Sequence, residues 1–243
     1  MPADKAHIIS KLQKEILPLQ GIRHAQKNIP LNMALGEMKY AFPEDHFPLG
    51  AVHEFICDST GDHACTTAFI SVIVSHLMNK NNIAIWIGQR RTLFPPALKF
   101  YNIDPDRIIF IDLKKDKEIL WAIEESLKCN SIATVIGEIP EINFTASRRL
   151  QLAVEESKVT GFIIRKNPRN LNTTACVTRW KISSLPGLIA GDMPGVGFPC
   201  WNVNLQKVRN GKPGVWQIAW AWGRFRYLTS TPEQSIPLQK KTG

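Results

Sequence analysis

Hydrophobic positions between residues 51 and 165 follow two patterns that alternate along the chain. Short apolar runs, typical of buried strands, cover residues 51–56, 83–87, 107–113, 131–136 and 160–165. Between the runs, apolar residues spaced three and four apart predict helices over residues 63–79, 116–129 and 145–158. Strands that alternate with helices of this length indicate βαβ units, and therefore a largely parallel sheet.

The hydrophobic period changes to two beyond about residue 170. Cys176, Thr178, Trp180 and Ile182 alternate with more polar neighbours, which predicts antiparallel strands with one wet face. A loop rich in glycine and proline follows over 185–199, and then a hairpin that turns at Asn210-Gly211. The fold class is therefore α/β: a mostly parallel sheet flanked by helices, with antiparallel strands and a β-hairpin at the C-terminal side.

These patterns divide the chain into four parts. Residues 1–50 form an N-terminal helical arm, with its amphipathic helix over 3–20, and a proline-containing connector. Residues 51–184 form the α/β core, residues 185–230 a loop and β-hairpin that complete it, and residues 231–243 a flexible tail. Two alternatives stay open for the N-terminal helix, which either packs on its own core or recruits a partner helix.

Composition indicates an ordinary globular protein without a membrane segment. The chain has 243 residues, of which 44% are hydrophobic, and no apolar stretch is long enough to cross a bilayer. The N-terminus lacks the pattern of a signal peptide, so we expect a cytoplasmic protein. Five cysteines without metal-ligand spacing predict reduced thiols, and we expect neither a metal nor a cofactor.

Positive charge is concentrated in two stretches. The formal net charge is +9, while residues 148–181 and residues 201–243 each carry +6. Clustered bases of this kind suit a polyanion or an acidic protein partner. A solvated basic surface without a partner explains the same charge, and the sequence alone does not separate the two.

The turn after the first predicted strand stands where an α/β protein would bind a nucleotide. A phosphate-binding loop needs glycines, a Lys that reaches the phosphates, and a following Ser or Thr for magnesium. Thr66 and Thr67 are present, but Cys65 stands at the Lys position and Ala64 at the preceding Gly position. The strand over 131–136 should end in an acid for magnesium, yet Gly137 stands there, with Glu138 one residue later. We interpret these six residues as a degenerate nucleotide site and predict no enzymatic activity.

Several segments resemble the ImuA family of inducible-mutagenesis proteins, which is itself similar to RecA and to the cell-division inhibitor SulA. The most specific segments are TASRRLQLA at 145–153 and VTGFIIR at 159–165. Others are KAHIISKLQKEILPLQG, FPLGAVHEF, RRTLFPPALKFYNIDPDRIIFI, EILWAIEESLKC and TACVTRWKISS. The resemblance covers nearly the whole chain and implies a RecA-like core.

The resemblance also implies a function and partners. It implies a role in error-prone DNA repair beside ImuB, a catalytically inactive homologue of Y-family translesion polymerases, and a damage-induced C-family DNA polymerase. Compared with the RecA pattern, the phosphate-binding Lys falls at Cys65, the catalytic Glu near Gln89-Arg90, and the magnesium Asp near Gly137. We therefore expect a non-catalytic adaptor that binds the ImuB-like protein, RecA or both. The alternatives are a degenerate nucleotide-dependent ATPase of the RecA class and a SulA-like inhibitor of the cell-division GTPase.

Basic residues at three places are the candidate partner or DNA-binding sites. Arg148 and Arg149 lie in the first turns of a predicted helix, and Arg165, Lys166 and Arg169 follow the end of a core strand, where α/β proteins place ligands. The hairpin and its flanks supply Arg209, Lys212, Arg224 and Arg226. With Trp201, Trp216, Trp220 and Trp222 these could form a stacking platform for single-stranded DNA, although core packing would also explain the tryptophans.

Overall fold

A computed structural model describes residues 28–78, 82–188, 195 and 197–228. Within these residues nine strands form one sheet. The strands are β1 (Val52–Cys57), β2 (Ile83–Gly88), β3 (Ile108–Asp112), β4 (Ile132–Glu138), β5 (Thr160–Lys166), β6 (Thr178–Leu188), β7 (Phe198–Val208), β8 (Gly214–Ala221) and β9 (Arg224–Tyr227). The helices are α1 (Ile29–Leu35), α2 (Thr60–Leu77), α3 (Asp116–Leu127) and α4 (Phe144–Ser157). Short 3-10 helices cover 36–41, 43–45, 95–101 and 105–107.

The sheet has a parallel half and an antiparallel half. Its strand order is β3-β2-β4-β5-β1-β6-β7-β8-β9. In this order, neighbouring strands from β3 to β6 pair parallel, and neighbouring strands from β6 to β9 pair antiparallel. Strand β6 joins the two halves, because it pairs parallel with β1 on one side and antiparallel with β7 on the other. The predicted fold class, a mostly parallel α/β sheet flanked by helices with antiparallel strands at the C-terminal side, is confirmed.

Each face of the sheet has its own hydrophobic core. On one face Phe69 of α2 packs against the sheet residues Phe55 and Trp180, whose rings stack with centroids 6.0 Å apart. On the other face α3 and α4 cover an aliphatic layer that includes Ile123 and Ile163. A side chain on a core strand therefore faces either α2 or the α3–α4 pair, according to the alternation along the strand.

Residues 28–50 belong to the first of these cores. The sequence predicts only a connector with at most a short helix here, but α1 and the two following 3-10 helices bury Leu31, Leu35, Met38 and Phe47. Burial of this apolar surface stabilises their docking on the sheet. The predicted N-terminal helix over 3–20 and the predicted tail over 231–243 lie outside the described residues.

His53 lies at the centre of the α2 core, where its ring is fully buried. Its Nε2 donates to the Pro48 carbonyl and its Nδ1 accepts from the Thr178 hydroxyl, each at 2.8 Å. The ring also stacks between Phe47 and Phe162. Burial lowers the pKa of His53 to about 3, despite the opposing hydrogen bond to Pro48.

No helix in the described segments is both long enough and apolar enough to cross a bilayer.

Candidate functional site at the carboxyl end of the sheet

The junction between β1 and α2 is short. The strand ends at Cys57 and the helix begins at Thr60, so Asp58 and Ser59 alone connect them. Ser59 caps the helix: its Oγ accepts from the Asp62 N–H at 3.1 Å, and its carbonyl accepts from the His63 N–H at 3.0 Å. A loop that wraps phosphate needs a run of backbone N–H groups that no helix uses. This junction therefore offers no phosphate cradle of the usual length.

The four predicted site residues of α2 lie in its second turn, beyond that junction. Ala64 is exposed, whereas Cys65, Thr66 and Thr67 are buried. The Thr66 hydroxyl accepts a weak hydrogen bond from the Cys57 thiol at 3.4 Å, so it faces the core between α2 and β1. Burial raises the pKa of the Cys65 thiol to about 11, and nearby Asp62 adds to the effect. Cys65 is therefore a protonated, buried group at the position of the expected phosphate-binding Lys.

Gly137 and Glu138 face opposite sides of the sheet. A Cβ added to Gly137 would lie 2.2 Å from Ile123 Cδ1, on the α3 side. Glu138 faces α2, where its Oε1 accepts from the Trp86 indole N–H at 2.7 Å. The RecA pattern places the magnesium acid near Gly137, but Glu138 is the acid at the end of β4 that faces α2.

The carboxylate of Glu138 is enclosed by basic partners. His63 Nε2 lies 3.4 Å from Oε1, and the Lys166 ammonium contacts Oε2. Burial raises the pKa of Glu138, but the hydrogen bonds and charges of His63 and Lys166 outweigh burial and hold the pKa below its usual value. The two carboxylate oxygens that a magnesium ion would need thus already contact Trp86, His63 and Lys166. We call these three residues with Glu138 the Glu138 cluster.

The space beside the Glu138 cluster is small. A cavity of about 10 Å³, lined by Trp86, Gly88, Arg91, Phe110 and Glu138 among others, lies at the ends of β2, β3 and β4. That volume holds at most one water molecule. Gln89 and Arg90, where the RecA pattern has its catalytic Glu, are exposed, and Gln89 Nε2 donates to Asp116 Oδ1 at 2.6 Å. Across the described segments no cluster of three or more His, Cys, Asp or Glu side chains is arranged to hold a metal ion.

Arg165 is not on the surface. Its side chain is 0% exposed and donates to Glu54 Oε1 at 2.9 Å, to Glu141 Oε2 at 2.8 Å and to the Asn170 carbonyl at 2.8 Å. A buried guanidinium with these partners cannot contact another molecule without disrupting the fold. The structure therefore corrects the prediction that Arg165 binds a partner or DNA.

The other predicted basic residues of the core are partly or fully exposed. Arg148 and Arg149 lie on the outer side of α4, paired with Glu155 at 3.4 Å and with Glu124 respectively. Arg169 is exposed, and its backbone N–H donates to Glu141 Oε1 at 2.6 Å. Lys166 is about one third exposed and belongs to the Glu138 cluster. Arg148, Arg149 and Arg169 therefore remain accessible to a partner.

The hairpin tryptophans separate into core and surface residues. Trp201 and Trp220 are buried and Trp216 is partly buried against the α2 core, as the core-packing alternative predicts. Trp222 is 64% exposed. Of the hairpin bases, Lys212, Arg224 and Arg226 are exposed. Arg209 is half-buried and donates to the Ala175 carbonyl at 3.0 Å, so it supports the fold.

Sequence analysis did not identify Glu54, His63 or Trp86 as parts of these networks. A usable signal existed for Glu54 and Arg165, because each is a charge inside a short apolar strand run, and a buried charge needs a buried partner. His63 and Trp86 gave no such signal, since their partner Glu138 is distant in sequence.

The strand order, the capped β1–α2 junction and the enclosed Glu138 define a mixed α/β protein in which a helical turn stands at the position expected for a phosphate-binding loop. No family model matches the chain. Protein ImuA from Caulobacter vibrioides strains NA1000 / CB15N and ATCC 19089 / CIP 103742 / CB 15 is 31% identical over 189 residues, which cover 72% of this chain and 77% of each relative. The chain belongs to the ImuA family, as the resemblance indicated.

Among solved structures, SulA from Pseudomonas aeruginosa is similar to this chain over 47% of this chain and 97% of its own, with 17% identity and a TM-score of 0.41.

Proposed function

We propose that this protein is a non-catalytic adaptor in damage-induced, error-prone DNA synthesis. In this role it binds an ImuB-like inactive Y-family polymerase homologue, RecA or both, and thereby also meets the damage-induced C-family DNA polymerase. The observation that carries the non-catalytic part is the start of α2 at Thr60, which leaves two residues where a phosphate-binding loop needs several. Membership of the ImuA family supports the pathway.

The outer side of α4 is the surface that best fits a protein partner. Phe144, Arg148 and Leu152 are spaced four residues apart, so they form one stripe along the helix. Phe144 is 54% exposed and Leu152 is 50% exposed, with the Arg148 guanidinium between them. Aromatic residues and arginine are enriched among the residues that dominate binding energy at protein interfaces. We call these three residues the α4 stripe.

Capture of partners from damaged cells tests the adaptor role. The tagged chain is purified from its own cells with and without DNA damage, and co-purifying proteins are identified by mass spectrometry. We expect RecA or translesion-polymerase components, more strongly after damage. Leu152→Asp should reduce their recovery at least tenfold, since a charge replaces one of the two apolar side chains of the α4 stripe. Met33→Ser, at a residue of α1 that is 76% exposed, is the matched control and should have no effect.

A nucleotide assay tests the non-catalytic part. The purified chain is incubated with magnesium and ATP, and phosphate release is measured. We expect release equal to the protein-free blank. Magnesium-dependent turnover that Thr66→Ala abolishes would instead favour a degenerate ATPase. Capture of the division GTPase, without translesion components, would favour the SulA-like inhibitor.

A further inference from the structure

The turn between β8 and β9 holds a tryptophan in an unfavourable backbone conformation. Trp222 and Gly223 form this two-residue turn, and both have positive φ, 53° and 71°. Turns of this kind prefer Asn-Gly or Asp-Gly, because residues with a large side chain are strained at positive φ. The position is therefore occupied by one of the residue types least suited to its backbone.

Packing does not explain the choice of Trp222. Its ring is 64% exposed, whereas Phe225, in the following strand, supplies the contact with the core. The ring is nevertheless held in place: the Phe198 ring centroid is 4.7 Å away and the Arg226 guanidinium lies 4.4 Å from the ring centroid. Strain that is not offset by burial, at a residue with fixed orientation, is typical of functional positions.

The charged side chains of the segment that contains Trp222 are of one sign. Arg224 and Arg226 alternate along β9 with the buried Phe225, so both guanidinium groups lie on the exposed face of the strand. The segment from 197 to 228 contains no Asp or Glu. An exposed indole beside two arginines thus combines an aromatic surface with cations. We call Phe198, Trp222, Arg224 and Arg226 the Trp222 patch.

We propose that the Trp222 patch binds single-stranded DNA, with one base stacked on the Trp222 indole and neighbouring phosphates paired with Arg224 and Arg226. Stacking on an aromatic side chain is available to every base, and arginines supply the contacts to the backbone. An acidic peptide would satisfy the arginines but would leave the flat indole without a matching group. Single-stranded DNA uses both components, so the observations favour it. This inference goes beyond the proposed adaptor role, because it assigns a nucleic-acid contact to the chain itself.

Binding of fluorescein-labelled oligo(dT) of about 20 nucleotides to the purified chain, measured by anisotropy at low salt, tests this proposal. We expect Trp222→Asn to weaken binding about tenfold, since one stacked base is lost. The variant creates an Asn-Gly turn, which suits the backbone, so its urea midpoint should equal or exceed that of the parent. Loss of affinity would then not come from unfolding.

Two further sets of variants separate the components of the patch. Arg224→Ala and Arg226→Ala should each reduce the slope of log affinity against log salt by about 0.7. Trp121→Ala on α3 is the matched control, because Trp121 is also 63% exposed but has Glu118 and Glu125 beside it at helical spacing. It should bind oligo(dT) like the parent.

Three outcomes would overturn the proposal. The first is unchanged affinity in Trp222→Asn, and the second is equally tight binding of a duplex of the same length. The third is unchanged DNA binding together with lost capture of a protein partner, which would make the patch a protein-docking surface. The anisotropy assay contains only the purified chain and DNA, so the first two outcomes do not depend on whether the adaptor role is correct.

Discussion

Arg165 Nη1 lies 2.9 Å from Glu54 Oε1, and both side chains are fully buried between β5 and β1. The second oxygen of Glu54 accepts from the Thr174 hydroxyl at 2.9 Å and from Arg179 Nε at 2.8 Å. This network joins three adjacent strands of the sheet to the segment that connects β5 with β6. It is therefore a structural element and not a binding surface.

Arg165→Met should lower the free energy of unfolding. It should not affect partner binding directly, because the side chain is buried. Removing one member of a buried ion pair leaves the other charge unpaired, which costs about 3–5 kcal/mol. Urea unfolding measures the change. Arg169→Met is the matched control, since Arg169 is exposed, and it should change the free energy of unfolding by less than about 0.5 kcal/mol. A stable Arg165→Met variant that has lost its partner would restore the original binding prediction.

The alternation of strands and helices allowed the parallel half of the sheet to be predicted from sequence. The start of α2 could also have been predicted three residues earlier, because Ser59 and Asp62 have the spacing of a capping pair before an apolar run. The residue at which α2 begins decides whether the junction is long enough for a phosphate-binding loop. Because the sequence analysis placed this start at residue 63, the junction was interpreted as a degenerate nucleotide site. The position of Arg165 at the end of an apolar strand run was a signal for burial, but its partners Glu54 and Glu141 come from other elements and could not be identified from the sequence.

The register of β4 leads to a prediction at Gly137. Gly137→Asp would introduce an acid at the residue where the RecA pattern suggested one, but the new Cβ would lie 2.2 Å from Ile123 Cδ1. Overpacking of this kind costs about 1–3 kcal/mol, and the buried, unpaired carboxylate adds to that cost.

We therefore expect Gly137→Asp to lower the urea midpoint and to confer no ATP turnover. Gly61→Asp, at an exposed residue in the first turn of α2 where an added Cβ would lie 3.7 Å from its nearest neighbour, is a control for the added charge. Magnesium-dependent turnover in Gly137→Asp would contradict the assignment of Gly137 to the α3 face.

The Glu138 cluster predicts a dependence of stability on acid. Because the pKa of folded Glu138 is held below its usual value, its ionisation stabilises the fold above the unfolded pKa of about 4.3. That contribution is lost as the pH falls from about 4.3 through the folded pKa. Glu138→Gln should be less stable than the parent at pH 7, and the difference should shrink towards acid pH.

Unfolding by urea at a series of pH values measures this difference. Glu156→Gln, at an exposed residue near the end of α4, is the control and should follow the parent throughout. A constant difference between Glu138→Gln and the parent at every pH would mean that folding does not shift the pKa of Glu138.

The last prediction concerns His53, whose contacts within the described part of the chain are all with uncharged groups. The ring contacts Phe47, Phe162, the Pro48 carbonyl and the Thr178 hydroxyl, and Thr178 in turn accepts from the Trp180 indole at 2.7 Å. The Thr178 hydroxyl therefore donates to His53 Nδ1, which must be unprotonated. Burial lowers the folded pKa to about 3, whereas unfolded His titrates near 6.5.

Between those two pH values His53 therefore binds a proton in the unfolded chain but not in the folded chain. The free energy of unfolding is therefore unaffected by His53 titration above about pH 6.5 and decreases as the pH falls below that value. Each pH unit lowers the free energy of unfolding by about 1.4 kcal/mol, so the loss between pH 6.5 and pH 5 is about 2 kcal/mol. His53→Gln, which cannot titrate, should lose about that much less over the same interval, whatever its stability at pH 7. His46→Gln, at a partly exposed histidine, is the matched control. Parallel curves for His53→Gln and the parent would show that His53 has the same pKa in the folded and unfolded chain.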